Sequence, residues 1–424
     1  MKKILSVFIL CVLLLTACAK SSFGAGPTVI EENAGGRVSD DMLTKGYFNL
    51  AMKELREGLN SDNNTNVLLS PLSAYYALTM LTMGCDGNSS AQLTEFFCED
   101  SNKADINRYA LKLSGQEDDK LKLANSLWIN SAAQEYIFNN QYKSFLEKYY
   151  GADCECFDFY EGTEKKINRW VEKKTLGRIK ELVGKMDESE SRNPKLLLIN
   201  ALTFDGQWKN EYSPKSINEN GKFKNYRGDL QQAKMLASTE SVYLSNDDAT
   251  GFLKYYDGER YAFMAVLPND SELPLAEFVN SLEDSWLNSF YQSAEKSKVE
   301  VQMPCFSAEY KIALEEMLQR EGVTDVFSGK ADFKYILNPE SYDKIKKSEL
   351  LPLFVSGVIQ KTFVEVNERG TKAAAATVVE IKDTALPLEE EKPRLLALNR
   401  PFVYAIVDVE NGGIPLFIGT VDEL

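Results

Sequence analysis

The sequence predicts an α+β fold, and three observations point to it. Apolar residues recur at helical spacing through the first part of the chain. In the later part they alternate or form short continuous runs, the pattern of strands. Beyond about Asp40 there is no second linker, repeat or low-complexity block apart from one alanine run, so one large domain is expected at 41–424. With 44% hydrophobic and 26% charged residues, the 424-residue chain is composed like a soluble globular protein with ample material for a core.

Taken in order, residues 42–59 read as a helix. Ser70-Pro71-Leu72-Ser73 opens a second one, with a serine cap, proline in the first turn, and apolar Leu72, Tyr75, Tyr76, Leu78 and Leu81; it stops near Gly84. Residues 167–183 read as a third, apolar at Ile167, Trp170, Val171, Ile179, Leu182 and Val183. The apolar run 196–204, closed by Asp205-Gly206, suits a strand buried on both faces. Residues 261–267 and 299–303 are further strands, and 310–320 is read as a helix ended by Gly322. At the C-terminus, 401–409 and 414–421 form a strand pair around Asn411-Gly412-Gly413.

The first residues have a different character. Lys2 and Lys3 precede an apolar run over 4–15 and then Leu15-Thr16-Ala17-Cys18, the layout of a secretory signal peptide and too short for a comfortable membrane span. The ending resembles a bacterial lipobox. That resemblance implies a signal peptide over 1–17, diacylation of Cys18, and export across the inner membrane to the cell envelope, with the lipid chains in the outer membrane. A plain signal peptide cut near Ala17 is the alternative. Residues 18–40, rich in Gly and Ser, read as a flexible tether.

Composition also excludes. A net charge of −15 argues against a nucleic-acid or heparin partner, both of which need a basic surface. The chain contains no histidine, so Ser-His-Asp and Cys-His catalysis and imidazole metal sites are ruled out. No local signature of Ser-Lys or paired-carboxylate chemistry takes their place. No catalytic residue, metal or cofactor is expected. After the leader, Cys85, Cys98, Cys154, Cys156 and Cys305 remain; an odd count suits buried inert thiols better than a disulfide framework.

The segment from Leu353 to Phe402 carries the functional signal. A strand-like Phe363-Val364-Glu365-Val366 leads into Asn367-Glu368-Arg369-Gly370-Thr371-Lys372 and then Ala373-Ala374-Ala375-Ala376-Thr377. Read with period two, one face carries Thr371, Ala373, Ala375, Thr377, Val379 and Ile381. The other carries Lys372, Ala374, Ala376, Val378, Glu380 and Lys382, including every charge. A strand with such small inward residues can enter a sheet without overpacking the core beneath it, and Gly370 supplies a hinge. A helix is the competing reading, because alanine is the best helix former; Gly370 and the β-branched Thr377, Val378, Val379 and Ile381 weaken it.

Asn367 to Thr377 resembles the reactive-loop hinge of inhibitory serpins. Asn399-Arg400-Pro401-Phe402 with Pro415-Leu416-Phe417-Ile418-Gly419 resembles the serpin signature at the chain end. Asn66 to Ser73 is similar to the opening of the family's shutter helix, residues 167–179 to its helix F, and Ile199 to Trp208 to its strand 3 of sheet A with the breach tryptophan. The likeness spans almost everything after the tether.

It implies three β-sheets, eight or nine helices and an exposed, strained reactive-centre loop in one monomeric domain. It further implies that a serine protease, with cysteine proteases as a second class, attacks the loop and forms an acyl-enzyme. The cut loop then enters sheet A as a new strand and distorts the protease. On this reading Glu368, Gly370 and Thr371 form the hinge, Ala373, Ala374, Ala375, Ala376 and Thr377 permit insertion, and Ser70, Asn200, Trp208 and Gln360 belong to the shutter and breach. The reactive bond falls at Thr384–Ala385, which suits an elastase-like or subtilisin-like target, with Lys382 and Leu386 as alternatives. Two departures stand out: a long stretch from Ala385 to Pro401 containing Glu389-Glu390-Glu391, and Gln360 where many serpins have histidine. The competing functions are a non-inhibitory serpin, a substrate or chaperone, and a glycan-binding or hydrolytic surface lipoprotein.

Overall fold

A computed structural model describes residues 37–61, 66–114, 119–132, 134, 136–160, 162–185, 195–371 and 393–424. Among the described residues, six α-helices precede residue 175: α1 (Asp40–Asn60), α2 (Pro71–Gly84), α3 (Gly87–Phe97), α4 (Lys103–Ser114), α5 (Asn140–Tyr150) and α6 (Thr163–Lys174). Four short ones follow: α7 (Leu275–Ser281), α8 (Trp286–Gln292), α9 (Glu315–Arg320) and α10 (Pro339–Lys346). The strands are β1 (Leu68–Leu69), β2 (Leu121–Asn130), β3 (Asp153–Phe157), β4 (Lys195–Phe204), β5 (Gly206–Gln207), β6 (Ile217–Lys224), β7 (Leu230–Ser245) and β8 (Ala249–Tyr255). Then come β9 (Tyr261–Pro268), β10 (Glu295–Pro304), β11 (Phe306–Ala313), β12 (Phe354–Asn367), β13 (Gly370–Thr371), β14 (Arg394–Ala397), β15 (Phe402–Asp408) and β16 (Ile414–Val421).

These strands make three sheets. The first runs β3-β2-β4-β12-β13-β5, with β11 also on β12. The other two share β7 and so form one hydrogen-bonded network. Residues 230–236 of β7 pair with β6 and residues 235–243 with β10, which carries β14 on its far edge. Residues 242–245 pair with β8, Val242 and Tyr243 keeping β10 on their other edge, and lead into the β9-β15-β16-β1 sheet. One strand long enough to serve two layers spares the fold an extra pair of open edges.

The first sheet is packed on both faces. On one side lies α2, buried along its whole length and capped as its sequence requires: the Ser70 hydroxyl accepts from the Ser73 amide at 3.2 Å, and Pro71 fills the first turn. The opposite face, with Ala124, Trp128, Leu197, Ile199 and Ala201, is covered by Ile167 and Val171 of α6 and by Ile179, Leu182 and Val183 beyond it. The central strand β4 is therefore largely apolar on both faces, which explains its nearly continuous hydrophobic run, interrupted by Asn200 and Thr203.

Two expected boundaries are corrected. The helix expected over 167–183 stops at Lys174, because Leu176 and Gly177 adopt positive φ (53° and 78°); Ile179, Leu182 and Val183 reach the core from irregular backbone. The helix expected over 310–320 begins only at Glu315. Phe306, Ala308, Tyr310 and Ile312 alternate inward on β11, and the change of period falls at Leu314. Gly322, with φ 92°, ends the helix as read.

Candidate functional site

The site is built on the seam between β4 and β12. These strands run parallel and pair from Lys195↔Phe354 to Thr203↔Phe363. Beyond Phe363 they part, and β13 occupies the gap, antiparallel to both its neighbours: Val366↔Thr371 and Asn367↔Gly370 on one side, Gly206↔Thr371 and Gln207↔Gly370 on the other. The chain thus doubles back at Glu368-Arg369 and starts a new strand inside the sheet.

Gly370 is required there. Its φ is 152°, and an added Cβ would lie 2.1 Å from the Gly206 carbonyl oxygen. Thr371 is fully buried, and its hydroxyl shares a 2.6 Å hydrogen bond with Tyr256 Oη. Tyr256 stacks on Trp208 at 4.5 Å, and Trp208 Nε1 donates to the Asn367 carbonyl at 2.8 Å while its amide donates to Arg369. Trp208 therefore holds both arms of the turn.

Charged groups close the same corner. Lys234 Nζ lies 3.1 Å from Glu368, whose carboxyl is held below its ordinary range by its own backbone amide and by Lys234. The Tyr212 amide donates to the Glu368 carbonyl. Beneath them Lys254 is buried and paired with Glu240 at 2.9 Å, its ammonium over the Trp208 and Tyr212 rings. Burial lowers the Lys254 pKa against the opposing pull of Glu240.

A second cluster sits further down the seam. Asn125, Asn200 and Gln360 occupy one cross-strand row, since Asn200 pairs in register with both Asn125 on β2 and Gln360 on β12. All three are buried. Asn200 Nδ2 donates to Asn125 Oδ1, and the Ser73 hydroxyl donates to Asn200 Oδ1. Gln360 accepts from the Ser70 amide at 2.8 Å and donates to the Ser70 carbonyl at 2.7 Å. The Ser70 hydroxyl donates to Leu416. Gln360 thus satisfies backbone donor and acceptor at once, which a glutamine amide does without titrating.

Of the residues singled out in the sequence, Glu368, Gly370, Thr371 and Trp208 meet at the upper corner, and Ser70, Asn200 and Gln360 meet in the row below. Ala373, Ala374, Ala375, Ala376, Thr377, Lys382, Thr384, Ala385, Leu386 and Cys18 lie outside the described residues. Tyr256, Lys234, Tyr212 and Asn125 were missed. Only Asn125 left a sequence signal, as a polar residue beside Ser126 between the apolar Leu123-Ala124 and Leu127-Trp128-Ile129. The five cysteines of the domain are free, and burial raises their pKa values, to about 11 for Cys156 and Cys305; they are poor nucleophiles. Among the described residues no cluster of His, Cys, Asp or Glu could hold a metal ion.

Fold and site define a protein whose central sheet already holds the start of an additional strand between two parallel ones. Residues 46–424 match the serpin (serine protease inhibitor) family. The chain belongs to that family, whose members are in general protease inhibitors rather than enzymes, most acting on serine proteases, with some non-inhibitory. Leukocyte elastase inhibitor A of Mus musculus is 31% identical over 388 residues, 87% of this chain and 96% of the relative. The native state of the thermophilic serpin tengpin superposes with a TM-score of 0.79 at 31% identity, covering 92% of this chain and 96% of that one. Its latent state gives 0.73 at 30% identity, covering 91% and 99%.

Proposed function

We propose that this serpin traps serine proteases by letting them cut the loop that follows Thr371 and then drawing the cut strand into the seam between β4 and β12. The supporting observation is the register of β13. Antiparallel to β12 from Val366↔Thr371, each residue forward on the loop meets one residue back on β12, so Thr377 arrives opposite Gln360. Counted against the other side from Gly206↔Thr371, Thr377 arrives opposite Asn200. Gln360 and Asn200 are themselves partners, so both edges of the seam agree on one register.

Parity agrees as well. Thr371 points inward, so Ala373, Ala375 and Thr377 follow on the same face, and Lys372, Glu380 and Lys382 take the other. Insertion exchanges one β4–β12 ladder for two, so the strand-inserted form gains a full set of backbone hydrogen bonds. No general base or nucleophile of the inhibitor is needed: the protease supplies both.

The reactive bond on this reading is Thr384–Ala385 and the target is elastase-like or subtilisin-like. The deciding experiment incubates the protein with pancreatic elastase and subtilisin, followed by denaturing gels and mass spectrometry. A complex stable to denaturant, with a released fragment beginning at Ala385, is expected. Clean cleavage without a complex, and no gain in thermal stability on cleavage, would make the protein a non-inhibitory serpin. We further propose that Cys18 is acylated and anchors a monomer to the cell envelope; loss of fatty-acid labelling in Cys18→Ser tests this.

A further inference from the structure

On the face of the first sheet that carries α6, a cleft of about 230 Å³ opens at the end of the seam remote from β13. It straddles the seam: Lys195 and Leu197 come from β4, Ser356 and Ile359 from β12, and Lys311 from β11. The ladder beneath it is interrupted. Val355 pairs with Leu196 and Gly357 with Leu197, so Ser356 is the extra residue of a bulge.

Every charged residue of the lining is a lysine: Lys185, Lys195 and Lys311. In a chain where acids outnumber bases 63 to 48, a lining of three cations without one carboxylate is a local choice. Lys311 also stands directly opposite Lys361 on β12, and like charges so placed destabilise a sheet. Glu309, two residues away on the same strand face, does not relieve Lys311, because it is paired with Lys361. Lys361 donates as well to the Glu181 carbonyl at 2.7 Å. Lys195 and Lys311 form no ion pair among the described residues.

The rest of the lining is mostly apolar, with Phe159, Val183, Leu197 and Ile359. Phe159, Val183 and Leu197 belong to the cluster beneath α6, and Ile359 packs against it. Lysine serves as a point-charge partner for phosphate oxygens. The volume lies below the roughly 300–1,000 Å³ of drug-sized sites, which limits a ligand to about one ring.

We propose that this cleft binds a small organic phosphate monoester. Its oxyanion lies among Lys185, Lys195 and Lys311, and its apolar part lies against Leu197 and Ile359. Such a ligand spans β4 and β12 and ties the seam shut. This consequence rests on the inhibitory reading; the binding does not. In the register given above, Glu380 arrives between Leu197 and Gly357 from both edges. A strand inserted there parts the walls of the cleft by about 4.8 Å, so the inserted form loses the site and the ligand opposes insertion.

Isothermal titration of the full chain with phenyl phosphate tests the site, with inorganic phosphate and benzyl alcohol as controls. Phenyl phosphate is expected to bind, inorganic phosphate at least about tenfold more weakly for want of an apolar part, and benzyl alcohol not at all. Lys195→Gln and Lys311→Gln should each weaken phenyl phosphate about tenfold, as loss of one charged hydrogen bond does, with thermal midpoints showing both folded. No binding up to about 10 mM, affinity unchanged in both variants, or inorganic phosphate binding as tightly, overturns the proposal. Repeating the titration after elastase has cut the loop tests the consequence. A cleaved protein whose thermal midpoint has risen should no longer bind, and undiminished binding refutes the straddling geometry. If cleavage leaves the midpoint unchanged, the inhibitory reading fails, and the titration of the intact chain still decides the site.

Discussion

Replacing Thr371 with arginine separates the inhibitory reading from its rivals. Thr371 has no exposed surface, and its hydroxyl is the partner of the fully buried Tyr256 Oη. An arginine cannot stay in that position, so Gly370 and the new residue leave the gap between β5 and β12. The folded protein loses one buried hydrogen bond and leaves a tyrosine hydroxyl unpaired, about 1–3 kcal/mol. For a domain of this size that is about 2–3 °C in thermal midpoint. Insertion after cleavage suffers far more, because its first inward residue would bring an unpaired charge beneath the sheet, a penalty of at least several kcal/mol. A barrier raised by only about 3 kcal/mol slows insertion more than ~100-fold. Insertion competes with hydrolysis of the acyl-enzyme, so the inhibitor consumed per protease inactivated should rise steeply while cleavage of the loop stays fast. The assay is a titration of residual protease activity against inhibitor, with gels to follow cleavage. Unchanged stoichiometry in Thr371→Arg, with its fold intact by circular dichroism, refutes the mechanism.

Further tests address the frame around the loop. Gly370→Ala meets both a positive φ and a Cβ placed 2.1 Å from Gly206 O; it should lower stability by at least ~2 kcal/mol, measured as the thermal midpoint. Glu54 is buried in α1, neither carboxylate oxygen has a partner among the described residues, and burial raises its pKa from 4.5 to about 8. The folded state therefore keeps a proton that the unfolded state releases, and stability falls as pH rises between 4.5 and about 8, by something on the order of 5 kcal/mol. Glu54→Gln should flatten that part of the midpoint-against-pH curve; an unchanged slope would assign it elsewhere. Gln360→His puts a titrating group where the wild type has none. Bridging the Ser70 amide and carbonyl needs the neutral ring, so the variant alone should lose stability as pH falls through about 6.5.

Much of this architecture was readable because period and capping are local. The serine cap and proline of α2, the doubly apolar run of β4 and the turn at Asn411-Gly412-Gly413 each announce themselves within a few residues. What failed was where two elements abut. β11 ends at Ala313 and α9 starts at Glu315, so helix-forming residues after the junction drew the helical reading back over Tyr310. At the end of α6 the apolar spacing continues past a left-handed turn at Leu176-Gly177, and spacing alone does not register a change of backbone.

The seam shows a deeper limit. Gly370 and Thr371 could be read as hinge and first inward residue from alternation and residue size. The partners that make them so come from far along the chain: Tyr256 is 115 residues from Thr371, and Lys234 is 134 from Glu368. No pattern in a tyrosine of the β8–β9 turn foretells a threonine partner. On the proposed insertion, the amide row bears on the strand reading of the alanine run. A helix over 373–377 has no reason to match any register, whereas a strand continuing β13 must bring Thr377 to the level of Asn200 and Gln360 from both edges. A hydroxyl arriving between two amides can donate to one and accept from the other, replacing contacts that opening the seam disturbs. Alanine would fit at that position and offer nothing. The proposed inserted strand therefore gives the threonine after four alanines a role, and Thr377→Ala should slow insertion while leaving loop cleavage fast.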